Sequence, residues 1–166
     1  VFDPVTYIFL KEGAEFVMES TQLGGVTYTD RKTVATVGKK ARLVVKEKLL
    51  TDGEEVAKTS FRVLLKGRES SADIVSRSVA KGNSSQFFKS DMVGKNACFG
   101  HVECDGILLG GARIVSTPKI DAVSPEASLV HEAAVGKIAG EQLLKLMSLG
   151  LSEQEAEDMI IQGFLN

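Results

Sequence analysis

Residues 97–122, ACFGHVECDGILLGGARIVSTPKIDA, carry the pattern on which the fold turns. Short β-prone runs at 97–103, 107–109, 113–116 and 119–122 are divided by Asp105-Gly106 and by the pair Gly110-Gly111. The same rhythm extends to both sides, with runs at 74–79, 85–89 and 128–130 and breaks at Gly82 and Gly94-Lys95-Asn96. Short strands with frequent corners suit a parallel β-helix, in which each coil stacks on the one before and buries a continuous core. A β-sandwich fits the spacing nearly as well. Strand spacing alone leaves both open.

Toward the N-terminus the runs are longer: 5–10, 15–19, 26–29, 33–37, 42–50 and 60–65 are β-branched or alternating. Turn signals stand at Thr51-Asp52-Gly53-Glu54 and Lys81-Gly82-Asn83. The first of these is expected to close a hairpin, so the first seventy residues are expected to be antiparallel additions to the core. No strict internal repeat stands out. No helical stripe of useful length precedes Gly136, which divides the chain into a β-rich core at 1–135 and a helical segment at 136–166.

That segment specifies an αα-hairpin. Ser152-Glu153-Gln154-Glu155 has the S-x-x-E form of a capping box, in which serine and glutamate satisfy each other's free N–H groups. Ala156, Met159, Ile160 and Phe164 follow as an apolar stripe, and Leu143, Leu146 and Met147 form the stripe of the preceding helix. Gly150 stands where a left-handed residue is wanted between them, and Gly163-Phe164 is expected to end the second helix.

Composition excludes several functions. Hydrophobic residues make up 43% of the 166 and charged residues 25%, ordinary for a globular protein. A net charge of −2 without a basic block gives no nucleic-acid face; Lys39, Lys40 and Arg42 are the densest basic spot and are expected to be a solvated strand end. No apolar run approaches the roughly 20 residues of a membrane helix. Without a signal peptide the chain is expected to be cytoplasmic, with Cys98 and Cys104 as free thiols. Beginning at Val1 rather than Met, it is expected to be a piece or a trimmed form of a longer protein. No nucleophile elbow, Walker loop, dinucleotide fingerprint or H-E-x-x-H motif is present, so an enzyme is not expected. A saccharide-cleaving β-helix is disfavoured by the lack of tryptophan and of a visible acidic cluster on one coil face.

Three residues remain as chemistry. Cys104 offers the soft sulfur that iron–sulfur clusters and persulfides require, although a lone strand cysteine is ordinarily a small buried hydrophobe. His131 is a good iron ligand and Glu132 a ligand or proton relay; their plainer roles are a buried hydrogen bond and a helix cap. Adjacent on extended backbone, they point to opposite faces, so at most one can share a site with Cys104. The C-x2-H-x2-C look of Cys98, His101 and Cys104 is rejected as a zinc site, because both cysteines share one strand face and His101 takes the other. Glu103 and Asp105 are expected to face solvent.

The tail also carries a resemblance. The run H-E-A-x-x-x-x-I-x-x-E-Q-L from His131, then L-M-S-x-G-L-S-E-x-E-A from Leu146 and I-I-x-G-F from Ile160, resembles the C-terminal signature of the SufB/SufD family, scaffolds of iron–sulfur cluster assembly. Glu103 to Gly110 resembles the family's cysteine-bearing strand, and Thr117-Pro118-Lys119-Ile120 the strand after it. The similarity runs from about Ser70 to the end. It implies a right-handed parallel β-helix followed by a C-terminal helical segment, and so decides between the two architectures. It implies that Cys104, His131 and Glu132 serve as ligands for a transient iron–sulfur cluster where two SufB/SufD-type subunits meet. The adjacent His131-Glu132 pair favours the B-type role over a purely structural D-type partner. The resemblance further implies that the C-terminal helices dock SufC, an ABC-type ATPase. The family's N-terminal helical region and cysteine-rich motif have no counterpart in this sequence.

Overall fold

The computed structural model describes all residues, 1–166. Ten strands precede two helices: β1 (Val5–Leu10), β2 (Glu15–Leu23), β3 (Tyr28–Val37), β4 (Arg42–Thr51), β5 (Val56–Leu65), β6 (Ser70–Ala80), β7 (Ser85–Gly94), β8 (Cys98–Leu108), β9 (Arg113–Ala122), β10 (Ala127–Gly136), α1 (Gly140–Met147) and α2 (Glu153–Leu165). Odd-numbered strands form one sheet in chain order and even-numbered strands the other. Every pairing is parallel. The chain thus alternates between two sheets and advances one strand per turn, which is a parallel β-solenoid, as the family resemblance implied.

The N-terminal expectation is corrected. The first seventy residues are regular coils, with β1 and β3 paired from Val5↔Lys32 onward and β2 and β4 from Glu15↔Arg42. Asp52-Gly53 does carry the left-handed glycine of a tight turn, at φ 58°. It turns the chain from one sheet into the other, and β4 pairs with β6, not with β5. Two predicted breaks also vanish. Asp105-Gly106 lies inside β8, where a side chain on Gly106 would meet Ile114 Cδ1 at 2.7 Å; glycine is there for close packing. Residues 117 and 118 lie inside β9, where proline is tolerated because the strand is at a sheet edge.

The structure also contains a repeat that inspection of the sequence missed. Gly24, Gly53, Gly82 and Gly110 all have positive φ and stack at one corner of successive coils. A Cβ on Gly82 would come within 2.9 Å of the Gly53 nitrogen, so the column holds the coils at contact distance.

Inward side chains alternate with outward ones along each strand, as the period of two demands. Sixteen buried residues, among them Val37, Val45, Val63, Leu65, Ile74, Met92 and Val102, form one core. Inside the solenoid lies a polar tier. The Glu47 carboxylate accepts from Arg31 Nη2 at 2.8 Å, from Thr59 Oγ1 at 3.0 Å and from Ser76 Oγ at 2.8 Å. Arg31 also donates to Ser20 Oγ at 2.7 Å. The Glu47 side chain is 2% exposed, and these donors take the place of water around it.

The capping box forms as expected: Ser152 Oγ accepts from the Glu155 N–H, and Glu155 Oε2 from the Ser152 N–H at 2.8 Å. The stripe of α2 differs. Ala156, Ile161 and Leu165 are buried, Ile160 and Phe164 half-buried, and Met159 exposed, and the helix runs through Gly163 to Leu165. Ile161 and Leu165 pack with Val79, Leu50, Ile107 and Leu109, so α2 lies over outward residues of β4, β6 and β8. No residue of α1 is buried.

Removing the Glu47 carboxylate should leave the Arg31 guanidinium confined without its counter-charge. Glu47→Ala is expected to lower unfolding free energy by about 3–5 kcal/mol. Urea denaturation of both proteins checks it, and a loss below ~1 kcal/mol would show the tier to be well hydrated.

Candidate functional site

The last coil, β9 and β10, is a terminal one, like the first coil of β1 and β2. Its inward residues have a coil on one side only. Ile120 is 45% exposed although its register partner Met92 is 1% exposed. Val135 is 43% exposed on β10. In this coil the inward His131 Nε2 is buried without a hydrogen-bond partner, one of eight such side-chain atoms in the chain. Such groups are uncommon and call for a partner.

His131 and Glu132 lie in the middle of β10, not at a helix entrance, because the strand continues to Gly136. The cap role considered for Glu132 is therefore ruled out by position. His131 is the register partner of buried Val102 and closes the inward column Met18, Val45, Ile74, Val102. Cys104 belongs to the next column, Ser20, Glu47, Ser76, Cys104, Ala133. Cys104 and His131 are thus diagonal neighbours on one inner face. Strand spacing and rise place their Cα atoms about 8 Å apart.

Their environments differ. Cys104 is 1% exposed, and burial pushes its thiol up, with Ser116 opposing and the charges of Glu47 and Asp105 reinforcing the shift. His131 is half-buried, and burial, then the neighbouring His101, lowers its imidazole from the ordinary value. A neutral imidazole with a free nitrogen is the ligand form of histidine, whereas a protonated buried thiol is an inert one. Both cysteines are free, and Cys98 is also buried and inward, with His101 on the opposite face. The geometric ground for rejecting zinc holds.

Glu132 points outward, away from Cys104. There it meets residues the sequence reading passed over. Its register partner is Glu103, and His101 Nε2 lies 3.7 Å from Glu132 Oε2. His101 Nδ1 is 2.8 Å from Asp73 Oδ1. Asp73 above all, then Glu132, raises the His101 imidazole, against its burial. Glu103 is raised by burial first and then by Asp105, with Arg77 opposing. An acidic cluster on one coil face is therefore present, contrary to expectation, and Glu103 and Asp105 are half-buried rather than solvated. The coil period was the signal that could have found it. Asp73 faces His101, and Glu103 faces Glu132, one turn on.

Fold and site together define a parallel solenoid with a helical tail and a thiol and an imidazole beneath an uncovered last coil. The family model for the SUF system FeS cluster assembly SufBD core domain matches residues 5–164, and the chain belongs to that family. It is 38% identical over 136 residues to an iron-sulfur cluster assembly SufBD family protein of Methanothermobacter thermautotrophicus, a match covering 81% of this chain and 33% of that one. A protein of the same description from Archaeoglobus fulgidus is 33% identical over 164 residues, 98% of this chain and 44% of the relative. One from Methanocaldococcus jannaschii is 30% identical over 165 residues, 98% and 52%. The chain thus spans about a third to a half of the length of these relatives. No helix is long and apolar enough to cross a membrane.

Burial and a raised thiol together make Cys104 slow to alkylate. In a Cys98→Ser background, iodoacetamide labelling of the folded chain at pH 7.5 should be at least roughly 10-fold slower than in denaturant. The rate should climb as pH rises through the raised value, because only the thiolate reacts. Mass spectrometry over a pH series checks both.

Proposed function

We propose that this chain is the solenoid core of a scaffold subunit in iron–sulfur cluster assembly. In this reading a second SufB/SufD-type subunit covers the last coil, as a homodimer or heterodimer. Cys104 and His131 supply sulfur and nitrogen when the coil opens toward that seam, and Glu132 lies on the outer side of the same strand. The cluster is cargo: it is built and passed on, and no bond-breaking chemistry is assigned to the chain itself. The helical hairpin docks a SufC-type ABC ATPase, whose hydrolysis supplies the motion, in the cytoplasm.

The observation that carries this reading is the unfinished core of the last coil. Inward residues as apolar as Ile120 and Val135 stand exposed beside an orphaned His131 nitrogen, which is the signature of a face completed by another molecule. The hairpin adds exposed apolar surface at Leu144, Met147, Leu149 and Met159 among acidic Glu153 and Asp158. The donor types also fit: a cysteine sulfur, once deprotonated, and a neutral imidazole are both ligands that iron–sulfur centres accept.

The seal over Cys104 favours a second reading, a structural D-like partner that holds no cluster. In the first reading the thiol is reached only when β9 and β10 shift relative to β8, which is what a motor on the helices would accomplish. Anaerobic reconstitution with ferrous iron and sulfide, followed by a visible spectrum, separates the two. Wild type is expected to acquire a cluster spectrum and Cys104→Ser to lose most of it. Equal spectra would favour the structural role. Light scattering should give twice the chain mass at micromolar concentration, and a single-chain mass would count against the seam.

A further inference from the structure

On the outer face of the even-numbered sheet, three side chains from two strands converge. His101 and Glu103 are two residues apart on β8 and therefore share its outward face. Glu132 stands across from Glu103 on β10. One nitrogen of His101 and one oxygen from each carboxylate all lie within 4.8 Å of one another. Like charges directly opposite on neighbouring strands are destabilising, and a surface free of other demands would not place Glu103 beside Glu132.

The fourth residue is the informative one. Asp73 Oδ1 holds His101 Nδ1 at 2.8 Å from the neighbouring strand β6. A carboxylate partner at Nδ1 fixes the ring orientation and leaves Nε2 aimed at Glu132, 3.7 Å away. This is the outer-sphere arrangement found behind metal-bound histidines, in which the partner carboxylate raises ligand basicity and sets ring orientation. We propose that His101, Glu103 and Glu132 form a mononuclear site for a divalent first-row cation, with Asp73 as the orienting residue.

The chemistry of the set selects its ion. One borderline imidazole nitrogen with two hard carboxylates suits Fe2+, Mn2+, Co2+ or Zn2+ and gives no purchase to soft Cu(I). Ligand atoms around such an ion stand about 3 Å apart, so the cluster must tighten by somewhat more than an ångström. Glu132, whose side chain is 65% exposed, has the freedom to close that gap by rotation. Binding would also neutralise the facing carboxylates, leaving Arg77 on β6 to offset the remaining acidic charge at Asp105.

This site is independent of the reading of Cys104 and His131, whose side chains project to the other side of the same strands. Anaerobic titration of the full chain with Co2+ at pH 7.5, followed by calorimetry and by visible d–d absorption, tests it. One ion per chain is expected. His101→Ala and Glu132→Gln should each weaken binding by at least roughly 100-fold, and Asp73→Asn by about 10–100-fold. The double variant Cys104→Ser/His131→Ala should bind as wild type does, with no sulfur-to-cobalt charge-transfer band in either protein. Circular dichroism melts of each variant identify any that fail to fold, and Glu132→Gln, at the most exposed position, serves as the variant least able to disturb the core. No Co2+ binding by the wild type would overturn the proposal. So would full binding by folded His101→Ala and Glu132→Gln, or loss of binding in the folded Cys104→Ser/His131→Ala protein, which would place the ion on the inner face.

Discussion

A coil of a solenoid keeps its inward side chains dry only when another coil lies against it on each side. The burial pattern of the strands follows from that requirement. In the middle coils, inward residues such as Val45, Val63, Ile74 and Val102 are fully buried, and the transfer of their apolar area from water supplies the main stabilising force. In the last coil the same inward positions carry Ile120, Ala133 and Val135 with water beside them. At Ile120, an apolar residue paired with buried Met92, the change in burial comes from position in the stack.

That gradient sorts the candidate ligands. Cys104, one coil in, is sealed by β10 on one side and β6 on the other, and its thiol stays protonated. His131, on the final strand, is half-buried and has a buried ring nitrogen with no hydrogen-bond partner. Glu132 obeys the other half of the strand period and joins His101 and Glu103 outside. A single strand, β10, therefore offers a nitrogen to the interior and a carboxylate to the exterior, two residues that sequence adjacency alone would group together.

Much of this was legible beforehand. The helical hairpin and its cap followed from local rules: Ser152 and Glu155 sit at fixed spacing and answer to backbone groups within four residues. The opposite-face argument for His131 and Glu132, and for Cys104 against His101, held because extended backbone leaves no alternative. What failed depended on distant neighbours. Gly106 reads locally as a turn because glycine is most often one, while here it makes room for Ile114 from the following strand. Asp52-Gly53 carries a hairpin signature, yet the turn it makes serves a parallel coil, since nothing local records which strand will be the partner. The glycines at 24, 53, 82 and 110 held the coil period openly, and with it the facing of Glu103 and Glu132. Only alignment of the chain against itself would have drawn it out.

The way α2 is laid across the sheet has a mechanical corollary. Stacked repeats ordinarily open from their ends, one unit at a time, because each touches only its neighbours. Here Ile161 and Leu165 bind Leu50, Val79 and Ile107, which belong to three successive turns. Those three must part together, like boards fixed by one crossbar, while turns outside those contacts fray at lower cost. A load applied to the tail is consequently spread over the centre of the stack before it reaches the closing strand.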